Sequence, residues 1–145
     1  MSRLEELYQE MILEHNKNPR NFRKSEGHTH ESHGYNPLCG DDYFVFVKLN
    51  GDTVEDISFH GSGCAISKSS GSLMTTSLKG KSKEEALQLK DCFLKMVTED
   101  CSAECQEKLG KLKVFEGVKH YPVRVKCAAL VWRALEDALN TGGLQ

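Results

Sequence analysis

The sequence predicts an α+β fold in which helices cover a small antiparallel β-sheet. Three observations lead to this prediction. The chain opens with an amphipathic helical pattern, two strand-like segments joined by a tight-turn dipeptide follow, and helical patterns fill most of the second half. Strands that are adjacent in sequence and separate from the helices pair antiparallel. The length of 145 residues is that of one domain, which we take to span residues 1–145.

The first element is predicted to be a helix that ends before Pro19. Apolar side chains recur there at helical spacing, at Leu4, Leu7, Tyr8, Met11 and Ile12. Residues 17–36 are polar and show no periodicity. We therefore expect a loop over that stretch.

A β-hairpin is predicted next. Residues 43–49 are aromatic and β-branched, and residues 53–60 continue in the same manner. Between them stands Asn50-Gly51, a dipeptide typical of a two-residue hairpin turn. The glycines of Gly61-Ser62-Gly63 then break the second strand.

Three helices are predicted after the hairpin. A helix of small residues is expected over residues 65–78, ending near Gly80. Ser82 and Glu85 form a capping box before a helix with expected core positions Ala86, Leu87, Phe93, Leu94 and Val97. The last helix begins near Pro122, ends at Gly142-Gly143 and carries the apolar stripe Cys127, Leu130, Val131, Ala134, Leu135 and Ala138. Residues 99–113 are charged and give no clear pattern.

Charge and hydropathy exclude several classes of protein. The 19 basic and 21 acidic residues leave a formal net charge of −2, so the strongly basic field of a nucleic-acid-binding protein is missing. No apolar run approaches the ~20 residues of a membrane span. The first ten residues are charged where a signal peptide would be apolar, so we expect a cytoplasmic protein with reduced cysteines.

Three of the six cysteines lie at predicted element boundaries. Cys39 lies between the loop and the first strand, Cys64 between the second strand and a helix, and Cys127 near the start of the last helix, where thiolate is favoured. Asp41 follows Cys39 by two residues, so both side chains would share one side of an extended segment. Three thiolates and a carboxylate would fill a tetrahedral site for zinc, copper(I) or an iron–sulfur cluster. Because the chain has no C-x-x-C pair, spacing alone leaves core packing of these cysteines as an equal alternative.

The remaining thiols and a histidine group are given simpler interpretations. His28, His30 and His33 could bind a transition metal, but we interpret them as part of a solvated loop that picks up metal only in vitro. Cys101 and Cys105, one helical turn apart, could share a metal or oxidise together, but we interpret them as incidental thiols. Cys92 adjoins core positions and is interpreted as a packing residue.

Four segments, taken in order, carry a resemblance to a known family. They are His15–Asn21, Asn36–Asp41, Gly61–Met74 and Arg124–Trp132. Over nearly its full length the chain resembles the SufU and IscU group of iron–sulfur cluster assembly proteins, the NifU N-terminal-like family. The resemblance implies the α+β fold of that group and a metal site formed by Cys39, Asp41, Cys64 and Cys127.

The chain departs from the IscU pattern at three places. Lys126 stands where IscU-type members have a histidine, before the last cysteine. The Hsp70-binding motif of IscU is only half present, as Tyr121-Pro122-Val123-Arg124. The stretch between Cys64 and Cys127 is also longer than in IscU-type members. These departures favour the SufU-like branch.

That branch implies a zinc-bound acceptor, or carrier, of sulfur from a SufS-like cysteine desulfurase, working with other Suf cluster assembly proteins. Such a protein is at most a zinc-dependent sulfurtransferase. Cys39 is then the expected persulfide acceptor, Arg124 a partner for Asp41, and Lys126 a neighbour of the site. A transient scaffold for a labile iron–sulfur cluster, binding iron, is the alternative. A structural zinc-binding interaction module is the second alternative, and a thiol oxidoreductase ranks below both.

Overall fold

A computed structural model describes residues 2–141. In chain order its elements are α1 (Arg3–Lys17), β1 (His30–Asn36), β2 (Asp41–Asn50), β3 (Thr53–Ser62), α2 (Ala65–Leu78), α3 (Lys83–Thr98), α4 (Ala103–Leu109), a 3-10 segment (Gly110–His120) and α5 (Pro122–Asn140). The α+β prediction is confirmed. Gly142 and Gly143, expected to end the last helix, lie outside the described residues. No helix within residues 2–141 is long and apolar enough to cross a membrane.

The three strands form one antiparallel sheet in the order β1-β2-β3. Alternate residues of β2 and β3 point inward and are fully buried, namely Tyr43, Val45, Val47, Ile57 and Phe59. Helices α2 and α5 pack on this inner face and bury Leu73, Met74, Trp132 and Leu135 in the same core. The sheet and these two helices form the rigid base on which the hairpin end and the helix starts are held.

The first strand corrects the prediction of a loop over residues 17–36. Residues 30–36 pair with β2 over the full length of β1. This strand lacks inward apolar residues because α5 lies so close to it. A Cβ atom built on Gly34 would lie 3.2 Å from Leu130 Cγ, so only small inward side chains fit.

Helix α2 covers the predicted residues 65–78, and its small side chains are explained by close packing on both sides. A Cβ atom on Gly71 would lie 2.6 Å from the ring of Phe59. On the other side, the Ser70 hydroxyl donates to the carbonyl of Ala128 at 2.7 Å and accepts from the indole nitrogen of Trp132 at 3.1 Å. Small residues therefore let α2 pack closely against both the sheet and α5.

The second half of the chain confirms one prediction and corrects two others. The capping box of Ser82 and Glu85 begins α3, although Leu87 and Leu94 are only half-buried. The patternless stretch forms α4 and the start of the 3-10 segment. Helix α4 returns along α3, and a disulfide joins Cys92 to Cys105 with Cα atoms 5.3 Å apart. The expectation of reduced cysteines is therefore wrong for this pair, and so is the interpretation of Cys105 as an incidental thiol. Cys92 lies in the buried core, as predicted.

Candidate metal centre

Cys39 lies on a four-residue turn between β1 and β2. The turn is closed by its own hydrogen bonds, from the Gly40 N–H to the Asn36 carbonyl at 2.8 Å and from the Leu38 N–H to the Asn36 side-chain oxygen at 3.1 Å. Gly40 has a φ of +77°, which a residue with a side chain rarely adopts. The segment is therefore a turn and not the extended stretch we predicted, but it still brings the Cys39 sulfur to 3.2 Å from an Asp41 carboxylate oxygen.

Asp41 is the first residue of β2 and continues its inward-facing row, so its carboxyl group is fully buried. One carboxylate oxygen accepts the backbone N–H of Cys64 at 2.9 Å. The other faces the sulfur atoms of Cys39 at 3.2 Å and Cys64 at 3.9 Å. Burying a carboxylate is costly unless it is paired or binds a metal, and within residues 2–141 its partners are thiols and one backbone amide.

Cys64 caps the N-terminus of α2. Its sulfur accepts the backbone N–H of Ser67 at 3.4 Å and lies 3.5 Å from the Ser67 hydroxyl. The chain reaches this position through Gly63. A Cβ atom on Gly63 would lie 2.4 Å from an Asp41 carboxylate oxygen and 2.7 Å from the Ser67 hydroxyl. The glycine is therefore required for the carboxylate and the helix start to meet.

Cys127 lies in the second turn of α5, is buried, and places its sulfur 3.7 Å from that of Cys39. Burial raises the pKa of this thiol, and hydrogen bonds with Asp41, Cys64 and Cys39 raise the pKa further. The predicted thiolate-favouring effect of the helix start is thus outweighed by loss of solvent and by acidic neighbours. An added cation would reverse that balance.

The four predicted ligands come together from three separate stretches of chain. Ligand atoms of Cys39, Asp41 and Cys127 all lie within 4.8 Å of one another. The sulfur of Cys64 stands at the edge of this group, next to the carboxylate. Three thiols and one carboxylate, with two of the four side chains buried, suit zinc in a tetrahedral arrangement.

A buried hydroxyl group behind the cluster was not singled out by sequence reasoning. Tyr43 is fully buried, and its hydroxyl accepts from the Ser67 hydroxyl at 3.3 Å. Burial raises the pKa of Tyr43 to about 12, against the lowering effect of the Ser67 hydrogen bond and with a further rise from the nearby acidic groups. Tyr43 therefore stays a neutral wall of the site. The sequence does place Tyr43 at an inward-facing position of the predicted strand, two residues after Asp41, and this position could have indicated its role.

The two basic neighbours lie outside the cluster. The Arg124 guanidinium stacks over the ring of Tyr121, 4.3 Å from its centroid, and forms no ion pair with Asp41 in the described part of the chain. Lys126 is exposed and borders a small open pocket of about 130 Å³. The pocket is lined by Asn36, Leu38, Cys39, Pro122, Val123 and Lys126. Among the four predicted ligands, only Cys39 lines this opening.

The three histidines of the predicted loop do not gather. The ring of His28 meets that of Phe46 edge to face, and His30 hydrogen-bonds with the Thr29 hydroxyl. His33 is paired with Asp42 and stacks on Phe44. His30 and His33 lie in β1 and not in the predicted loop.

The chain is similar to known proteins over most of its length. The model of the NifU-like N terminal domain matches residues 7–128. A relative named zinc-dependent sulfurtransferase SufU, from Bacillus subtilis, is 41% identical over 94% of this chain and 91% of its own. The iron–sulfur cluster assembly scaffold protein IscU of Streptococcus pyogenes is 40% identical over 97% of this chain and 87% of its own.

The fold agrees with the same group. The crystal structure of a candidate scaffold protein for the SUF system from Fervidobacterium islandicum has a TM-score of 0.84 and 35% identity, covering 90% of this chain and 95% of that one. The fold and the thiol cluster are those expected of an iron–sulfur cluster assembly domain. The chain belongs to the family of NifU-like N-terminal domains.

Proposed function

We propose that this protein is a zinc-bound sulfur carrier that accepts a sulfur atom from a cysteine desulfurase for iron–sulfur cluster assembly in the cytoplasm. Cys39, Asp41, Cys64 and Cys127 would hold the zinc, and Cys39 would accept the sulfur. The proposal is supported by relatives with 40% and 41% identity that are named for cluster assembly and for zinc-dependent sulfur transfer.

The observation that carries the choice of Cys39 is its position in the wall of the open pocket, since Cys39 and Cys64 are both half-buried. Cys127 is buried, and Cys64 is engaged as the cap of α2. Cys39 alone among the three lines the open pocket, on a turn whose outermost side chain, Leu38, is 84% exposed. A partner's persulfide can therefore approach the Cys39 sulfur from outside.

The donor set fits zinc, and zinc would stabilise the thiolate form of its cysteine ligands. The chain itself contributes a carboxylate beside the three sulfur atoms. Asp41 already accepts a hydrogen bond from the Cys64 amide through one oxygen, so its other oxygen is oriented toward the sulfur atoms. Asp41, Cys64 and Cys127 would therefore still hold the zinc while Cys39 reacts.

The Cys39 thiolate attacks the outer sulfur of the desulfurase persulfide. The sulfur–sulfur bond of that persulfide breaks, the desulfurase cysteine leaves as a thiolate, and Cys39 becomes the new persulfide. Lys126, at the rim of the pocket, supplies positive charge near the reacting anions. Arg124, held on Tyr121, would contact the site only after leaving that ring.

The surface around the pocket suits a protein partner. Leu38 and Val123 flank the opening and are 84% and 67% exposed. Exposed apolar side chains next to a reactive group are typical of a docking surface. We assign this surface to a SufS-like desulfurase and, after loading, to other Suf cluster assembly proteins.

A sulfur-transfer assay with the organism's own desulfurase and labelled cysteine tests the proposal. The Cys39→Ser variant should lose at least about 100-fold in sulfur acceptance, because serine forms no persulfide. The matched control is Cys101→Ser, since Cys101 is also a half-buried free cysteine but lies outside the cluster. Normal labelling of the Cys39→Ser variant would refute the assignment.

A transient cluster scaffold is the second candidate function, favoured by the relative named as an iron–sulfur cluster assembly scaffold protein. The four ligands are the same, so the metal content decides. Stoichiometric zinc in colourless protein, with no stable colour after incubation with iron and sulfide, supports the carrier. A brown protein that passes its cluster to an acceptor supports the scaffold.

A further inference from the structure

A second group of thiols lies outside the metal centre, on helices α3 and α4. Cys92 belongs to the buried core, with 6% of its surface exposed. Cys105, in the first turn of α4, is half-buried, and the two are joined across a Cα–Cα distance of 5.3 Å. That separation lies in the ordinary range for disulfides, so no backbone movement is needed to make or break the bond.

We propose that Cys92 and Cys105 are a reversible dithiol–disulfide pair that exchanges with low-molecular-weight disulfides and dithiols, and that its oxidised form fastens α4 to α3. The proposal is independent of the sulfur-carrier function, since none of the four predicted ligands takes part.

The two cysteines differ in exposure in the way that such an exchange needs. The half-buried Cys105 thiolate attacks one sulfur of a small disulfide, forms a mixed disulfide and releases the first small thiolate. The buried Cys92 thiolate then attacks the Cys105 sulfur and releases the second. The protein loses two electrons and two protons, and the small disulfide gains the electrons. A small dithiol reduces the Cys92–Cys105 bond through a mixed disulfide with Cys105 and ends as its own intramolecular disulfide.

Helix α4 depends on this bond because little else holds it. It has seven residues, and Leu109 is its single buried residue. Its start is capped by the Ser102 hydroxyl, which accepts the Cys105 N–H at 3.2 Å. Short elements with few buried groups open locally at low cost, and a covalent link to the core removes much of that freedom.

The position of α4 gives the bond a wider effect. The 3-10 segment follows α4 directly and supplies Val118 and Lys119 to a groove of about 800 Å³. Helix α1 lines the same groove through Tyr8 and Ile12, and Arg124 of α5 lines it as well. Oxidation therefore restrains the chain segment that leads into one wall of this groove.

Disulfide mapping of the purified full chain tests the pair. The protein is reduced with dithiothreitol without denaturant, exposed to oxidised glutathione, alkylated and cleaved after glutamate. Glu99 and Glu104 flank Cys101, so the fragments holding Cys92 (86–99), Cys101 (100–104) and Cys105 (105–107) separate. We expect fragment 86–99 joined to fragment 105–107, and full loss of that link after a second reduction.

Matched variants make the outcome decisive. Cys101→Ser should keep the link, because Cys101 takes no part. Cys92→Ser should leave glutathione on Cys105, whereas Cys105→Ser should leave the buried Cys92 unmodified. A link between Cys101 and Cys105, or a Cys92–Cys105 link that native reduction cannot remove, would overturn the proposal.

Hydrogen exchange tests the consequence for α4. Backbone amides of Ala103–Leu109 should exchange roughly 10- to 100-fold more slowly in the oxidised protein than in the reduced protein. Equal exchange in the two forms would show that the bond does not fasten α4, and that part of the proposal would fail.

Discussion

The molecule holds two groups of cysteines that differ in their surroundings and in what their sulfur atoms contact. In the metal centre, three sulfur atoms from distant stretches surround a buried carboxylate, with 3.7 Å between the sulfur atoms of Cys39 and Cys127. On α3 and α4, the sulfur atoms of two cysteines thirteen residues apart in sequence bond to each other.

The difference shows how the neighbours of a thiol set its chemistry. The carboxylate of Asp41 adds negative charge to a buried place, so the thiols beside it gain most from a cation. Cys92 lies among apolar core residues, where a neutral disulfide avoids burying charge. The first arrangement is therefore suited to binding metal and the second to storing an oxidised state.

Removing the metal should make the first group behave like the second, and this is the largest effect we expect. Zinc at ~1000-fold above its Kd would add about 4 kcal/mol to the free energy of unfolding, which chelation should remove. Oxidised glutathione should then join Cys39 to Cys127. Thermal unfolding and disulfide mapping, with and without chelator, measure both changes. An equally fast Cys39–Cys127 link in the zinc-loaded protein would contradict the comparison.

The next effect concerns the glycine behind the carboxylate. Gly63→Ala should lower zinc affinity by about 10- to 100-fold, because the new methyl group displaces Asp41. The control is Gly117→Ala, where an added Cβ meets no atom within 4 Å. Competition with a chromophoric zinc chelator measures the affinities. Equal affinities in the two variants would show that the carboxylate is not needed for metal binding.

A smaller effect is expected from pH, through the helix that presents Cys64. His15 of α1 is buried, and its Nδ1 atom lies 2.7 Å from the Ser72 hydroxyl of α2. Burial lowers the pKa of His15, with Arg20 contributing in the same direction. The unfolded chain therefore binds a proton at His15 more tightly than the folded chain does. The stability that neutral His15 contributes is present above pH 6.5 and is lost as pH falls through the pKa of His15 in the folded protein.

Denaturant unfolding of the wild type and of His15→Gln between pH 7.5 and pH 5 measures this contribution. The variant should show a flatter dependence of unfolding free energy on pH. His60→Gln, at an exposed position, is the control and should keep the wild-type slope. A wild-type slope in the His15→Gln variant would assign the acid sensitivity to another group.

The smallest effect that we expect concerns the cap of α4, the helix that carries Cys105. Ser102→Ala removes the cap of α4 and should cost about 1 kcal/mol of local stability. Because the disulfide holds α4 in the oxidised protein, the cost should appear chiefly in the reduced protein. Hydrogen exchange of Ala103–Leu109 in both forms measures it. A larger loss in the oxidised form would be inconsistent with fastening by the disulfide.

The sequence predicts the fold well where periodicity reports burial. The hairpin and α2 follow the expected residues, because alternating large residues and a run of small residues each suit one packing environment. Strand β1 was missed because its inward positions, Ser32 and Gly34, are small for the close contact with α5. A short polar strand carries no such signal.

The clustering of the predicted ligands was predictable because the cysteines stand at element boundaries and match family motifs. The contact between Gly63 and Asp41 was not, since it depends on how closely a helix start approaches a strand end. Nor was the Cys92–Cys105 pair, which requires α4 to fold back along α3. Both depend on distances in the folded structure that the spacing of residues along the sequence does not determine.

The turn that carries Cys39 keeps its hydrogen bonds to itself, between Asn36, Leu38 and Gly40. The strands on either side stay paired up to Asn36 and Asp41, the residues next to the turn. The sheet therefore fixes where Cys39 stands, and any molecule that approaches this thiol has to fit its own shape to that position.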